Sequence, residues 1–162
     1  MREQLQEALK QVSLVPMREC GQNETAVLLG AVGLELCAVY SKVIQLEAEF
    51  GHAWEYLDSG RRADVEETMQ INGKIFADMG SRFEKRSKEL AENGKKDAEF
   101  CGPVSVFLQV LAGEAKCLAE YRLGADAVEG VNGYLERMRG VIEALHEYLG
   151  FCIGNTIVWE KK

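Results

Sequence analysis

The chain contains only two prolines, Pro16 and Pro103, and elsewhere its apolar residues recur at intervals of three and four. That spacing constrains the fold more than any other feature. Side chains three and four apart share one face of an α-helix, whereas a half-buried strand needs strict alternation. From Glu24 to about Leu57 one face carries Leu29, Val32, Leu36, Tyr40, Val43, Leu46, Phe50, Ala53 and Leu57. Leu28, Val39, Ile44 and Trp54 widen it. A helix this apolar is expected at the centre of a bundle. Asn23 is placed to cap its start, and Asp58, Ser59 and Gly60 to end it.

The same spacing predicts a short helix over Arg2–Ser13 and a second long helix from Arg62. Val65, Met69, Phe76, Met79 and Phe83 form the long helix's stripe, which thins to Leu90. Asn93-Gly94 reads as a stop or a bend. A third segment, Val104 to about Leu123, carries Phe107, Val110, Leu111, Leu118 and Tyr121. The last helix, Val131 to about Cys152, repeats Val131, Leu135, Met138, Ile142, Leu145, Leu149 and Cys152, a narrow seam suited to a neighbouring helix. Residues 154–162 are too short for a core strand and read as an arm.

The expected fold is therefore all-α: one domain over residues 1–162, an antiparallel bundle of four to five helices, at least two of them long. Its core is expected around Leu36, Val43, Phe50, Phe76, Phe83, Phe107, Leu111, Leu135 and Leu145. Gly30, Gly33, Gly73, Gly80, Gly113 and Gly140 interrupt the helical patterns, each at about 1 kcal/mol relative to alanine. Close helix contact or a bend would offset that cost, and the sequence leaves both open.

Composition narrows the function. Apolar residues make up 47%, enough for a core. No apolar run approaches the roughly 18 residues that span a bilayer. The N-terminus lacks the pattern of a signal peptide. Five cysteines, an odd number without a Cys-x-x-Cys pair, argue against a zinc site or a disulfide framework. Cys37, Cys117 and Cys152 fall in apolar helical patterns and read as buried reduced thiols, which points to the cytoplasm. The net charge of −7 argues against nucleic acid as a partner. No phosphate loop or nucleophile elbow occurs, and no cofactor is expected.

Both histidines follow a glutamate by three residues: Glu49-x-x-His52 and Glu143-x-x-His146. Two such pairs on separate helices form the core of a ferritin-like di-iron site, with Glu114 and either Glu7 or Glu19 as the remaining ligands. Helical geometry opposes this, because Glu143, His146 and His52 project away from the apolar stripes. Arg139 and His146, two turns apart, resemble the Arg-x6-His motif of HEPN-type ribonucleases. There an arginine would hold phosphate charge and a histidine would move a proton.

The stretch "FEKRSKELAENGKKDAEF", residues 83–100, interleaves five basic with five acidic side chains. Its field at a distance is near zero, as on a solvated helix face. The order of features around it resembles BAR-type domains over about residues 40–125. The residues that carry the likeness are Phe50, Trp54, Leu57, Phe76, Phe83, Pro103, Phe107, Leu108, Leu118 and Arg122. The resemblance implies a crescent-shaped antiparallel homodimer that binds anionic membrane, peripherally, through Arg61, Arg62, Lys74, Lys85, Arg86, Lys88, Lys95 and Lys96. The acidic balance opposes anionic lipid. The resulting expectation is a non-enzymatic helical scaffold that self-associates and binds another protein or an anionic membrane surface.

Overall fold

A computed structural model describes residues 2–15, 20, 24–53 and 60–160; for residues 2, 93–96 and 153–160 it describes the backbone alone. The described residues form helices and short turns without a strand: α1 (Arg2–Ser13), α2 (Glu24–Phe50), α3 (Arg62–Ala119) and α4 (Ala127–Glu160). The all-α bundle is as expected. Asp97 has non-helical dihedrals (φ −130°, ψ 50°) and divides α3 into two helical segments, which gives five in all. The break falls at Asp97, three residues after Gly94, and the helix continues through Asn93-Gly94. Residues 154–160, expected as an arm, continue α4. The proposed Asn23 cap lies outside the described residues, as do Trp54 and Leu57.

The two segments of α3 fold back on one another as an antiparallel hairpin. As the first advances from Gly73 to Gly80 to Ser87, the second retreats from Ala119 to Ala112 to Ser105. A Cβ on Gly73 would stand 2.8 Å from the Ala119 carbonyl oxygen, so no larger residue fits there without moving a backbone. Gly80 faces the Ala112 carbonyl and the Ala115 methyl at ordinary contact distance. Ser87 and Ser105, both buried, each donate a hydroxyl hydrogen bond to the other's backbone carbonyl, at 3.0 and 2.9 Å. Small residues at steps of seven thus bring the backbones close, and the serines satisfy the polar atoms that this buries.

α2 runs antiparallel to α4. Tyr40 meets His146, Glu47 meets Arg139, and Phe50 meets Tyr134. α1 and α2 both lie against α3 and α4. Thr25, buried at the start of α2, donates its hydroxyl to the Asp97 carboxylate and so ties α2 to the break in α3. Gly124 has φ +75°, a conformation that suits glycine, and leads into α4. There the Asp126 side chain accepts the Glu129 amide at 3.1 Å and caps the helix.

All nine expected core residues are buried. The α4 seam is broader than its spacing indicated, because Tyr134, Val141, Ala144 and Tyr148 are buried beside it. Tyr134 sits at the centre. Its ring packs edge-on against Phe50 (4.7 Å) and Phe76 (6.5 Å) and lies 5.0 Å from Tyr121. Burial pushes its hydroxyl up to about 12, and the nearby Asn72 acts in the opposite sense. Phe107 stacks on Tyr148 at 5.0 Å.

α2 does not take the central place expected of it. Val32, Leu36, Val39, Val43, Leu46 and Phe50 are buried on one side, but Ile44, expected with them, is exposed. Ile44 is only one residue beyond Val43, and one residue turns a helical side chain by about 100°.

Candidate interaction surface

Three of the basic residues, Arg61, Arg62 and Arg86, are paired within the chain. Arg61 pairs with Asp64. Arg62 pairs with Glu66 at 2.8 Å and donates to the Gly124 carbonyl. Arg86 reaches Glu35 on α2 at 2.6 Å and Glu89 at 2.9 Å, and those two bonds raise its already high pKa. Lys74 lines an open groove of about 500 Å³ along the α3 hairpin, where Lys116 and Arg122 face Glu84 and Glu120. Lys85 and Lys88 are exposed beside the equally exposed Glu84 and Glu92. The side chains of Lys95 and Lys96 lie outside the described residues.

The five residues of the di-iron alternative do not converge. Glu49 and His52 are exposed at the end of α2, and Gln45 donates to Glu49 at 3.0 Å. Glu143 and His146 are exposed on α4, where His146 Nδ1 lies 3.2 Å from the Tyr40 hydroxyl. Tyr40 precedes Glu49 by nine residues, about 14 Å along a helix. Glu7 is exposed and accepts a bond from Gln11, and Glu19 lies outside the described residues. Among the described residues no three His, Cys, Asp or Glu side chains are grouped to hold a metal ion. Arg139 and His146 do share a face, as their spacing indicated. Arg139 is bound to Glu47 at 2.9 Å, and both residues stand at the α2–α4 edge.

Glu114 stands apart from the other four. It is 4% exposed, and its Oε2 lies 4.0 Å from Arg137. Among the described residues its Oε1 has no hydrogen-bond partner. Burial raises its pKa, and Arg137 acts in the opposite sense. The residue borders an open cavity of about 470 Å³ with Leu5, Tyr121, Gly133, Arg137 and Gly140.

The cysteines divide. Cys20 and Cys101 are buried, Cys117 and Cys152 half-buried. Burial raises the pKa of Cys20, Cys101 and Cys152, which keeps those thiols protonated. Cys37, expected in the core, is exposed, because it lies on the outward side of α2.

That outward side is the feature the periodicity of the bulky residues obscured. A second series of threes and fours runs along α2: Val27, Gly30, Leu34, Cys37, Ser41, Ile44 and Ala48. Every member is exposed. Val27 is 74% and Leu34 76% exposed, values more typical of lysine than of valine or leucine. A Cβ on Gly30 would have nothing within 4 Å. No member is charged, in a chain whose residues are 28% charged. Two of the flanking charges are paired within the chain, Glu35 with Arg86 and Glu47 with Arg139. A sequence signal for it existed, namely the absence of charge from a second helical face.

α2 is also long and apolar enough to cross a membrane by length and composition, with mean hydropathy 1.8 over an 18-residue stretch. Glu35 and Lys42 interrupt that stretch. Only 22% of the stretch is buried within the fold. No family model, curated protein or solved structure matches the chain.

Proposed function

We propose that the protein is a non-enzymatic helical scaffold that self-associates through α2. The observation that carries this reading is the exposed, uncharged face along that helix. Depletion of charge with retention of apolar side chains marks the core of a protein interface, and a contiguous patch of this kind is uncommon on a monomer. A protein-only surface is favoured over an anionic membrane. A helix that lies on such a membrane flanks its apolar face with lysine and arginine. Here the flanks hold Glu24, Glu35, Glu47 and Glu49 against Lys42.

Sedimentation velocity over a micromolar concentration series tests the reading. The expected result is a reversible shift from monomer to dimer. A monomer throughout the series refutes self-association. Binding to anionic vesicles that is abolished by Lys85→Glu with Lys88→Glu would restore the membrane role.

A further inference from the structure

The α2 face is complementary to itself when reversed. Cys37 is the midpoint of Glu24–Phe50 and lies at the middle of the exposed series. Reading outward from it in both directions pairs large with small. Leu34 falls opposite Ser41, Gly30 opposite Ile44, and Val27 opposite Ala48. A parallel pairing in register would instead set Leu34 on Leu34 and Gly30 on Gly30, alternating crowded layers with empty ones.

Resting on the self-association reading, we propose that the partner of this face is α2 of a second copy, antiparallel, with the two-fold axis passing near Cys37. A two-fold contact uses one patch twice, so the patch must fit its own reverse. The α3 hairpin shows two antiparallel helical segments of this chain in close contact, there with small residues facing small ones at steps of seven. Electrostatics permits the same between copies. The face itself brings no charge; of the flanking charges Glu35 and Glu47 are each held by an arginine of their own chain, Glu49 accepts a bond from Gln45, and Glu24 and Lys42 complete the set. A different protein or a lipid surface would not require the reversed match of sizes.

The contact is modest. A helix of this length extends about 40 Å and is about 10 Å wide. Two such strips bury roughly 800 Å² together, below the standard size for a stable complex, so the dimer is reversible.

Cross-linking of the full chain tests the arrangement. Copies carrying Gly30→Cys and copies carrying Ile44→Cys, both with Cys37→Ser, are mixed and treated with a short bismaleimide. The expected product is a covalent dimer between unlike copies and little between like ones, while the parent chain cross-links through Cys37 to itself. Leu34→Glu should abolish both products and shift sedimentation to the monomer, while circular dichroism stays unchanged, since the side chain points to solvent in a single copy. Cross-links between like copies overturn the antiparallel order. A dimer that persists with Leu34→Glu overturns this interface and leaves self-association standing. A monomer in the parent chain overturns both. Loss of helical signal in Leu34→Glu transfers the test to Leu34→Ser, read the same way.

Discussion

The inner face of the α3 hairpin and the outer face of α2 are built from the same kinds of residue, yet only one is covered. In the hairpin, Gly73, Gly80 and Ser87 meet Ala119, Ala112 and Ser105. On α2, Gly30, Ser41 and Ala48 alternate with Val27, Leu34 and Ile44, and all are exposed. A glycine in a helix costs stability wherever it stands. In the hairpin the close approach of two backbones offsets the cost. On α2 no described residue of the same chain does so, and in the proposed dimer a second copy would.

The sharpest way to break the comparison is to truncate two leucines that are neighbours on α2. Leu36→Ala should destabilise by about 2–5 kcal/mol, as for a large side chain lost from a core. Leu34→Ala, at concentrations where the chain is monomeric, should change stability by less than about 0.5 kcal/mol. Urea denaturation separates the two, and equal losses would place Leu34 in a covered region.

The buried centre should respond to pH, with Tyr134 as its reporter. Its hydroxyl is raised from 10 to about 12. The unfolded chain therefore loses this proton first. Stability is fully present below pH 10 and falls as pH rises toward 12, by roughly 2–3 kcal/mol from this group. Tyr134→Phe should flatten that part of the profile in thermal denaturation, and an unchanged slope would mean that the ring is not buried as described.

The glycines give a smaller effect of opposite sign in the two regions. Gly73→Ala should lose stability, because the added methyl overlaps a backbone carbonyl at a cost of about 1–3 kcal/mol, more than helix propensity returns. Gly30→Ala should gain up to about 1 kcal/mol in the monomer. Denaturation midpoints that move the same way for both would remove the distinction between the faces.

The serine pair sharpens the account of the hairpin. Ser87→Ala or Ser105→Ala should each cost about 1–2 kcal/mol, since each leaves a buried polar atom with fewer partners. The double substitution should cost less than the sum of the two, and a double-mutant cycle reads the difference.

The covered parts of this fold were the legible parts. The stripes that contain Leu36, Phe83, Phe107 and Leu145 name the core because burial selects bulky apolar residues at helical spacing. The α2 face was misread for the same reason. Its exposed series is also apolar, and a rule that sends apolar residues inward assigned Cys37 and Ile44 to the core. Distinguishing them needs the knowledge that only one side of α2 meets α3 and α4, which is a tertiary fact. The break in α3 was expected at Asn93-Gly94, with the next helix from Val104; it falls instead at Asp97, which accepts a bond from Thr25, a residue far away in sequence. The histidine pairs were recognisable as pairs, and their outward projection followed from spacing. Glu114 as a buried carboxyl did not, since nothing local distinguishes it from the exposed glutamates.

The central claim is that the α2 face is covered by a second copy, and the native thiol at its middle reports on that directly. The rate of Cys37 alkylation, read by peptide mapping so that the other four cysteines are resolved, should be measured from dilute to concentrated protein. The account predicts a rate that falls as the dimer forms, with Leu34→Glu retaining the fast rate at every concentration. A Cys37 rate that stays constant while the parent chain dimerises would place the contact elsewhere on the molecule and contradict the claim.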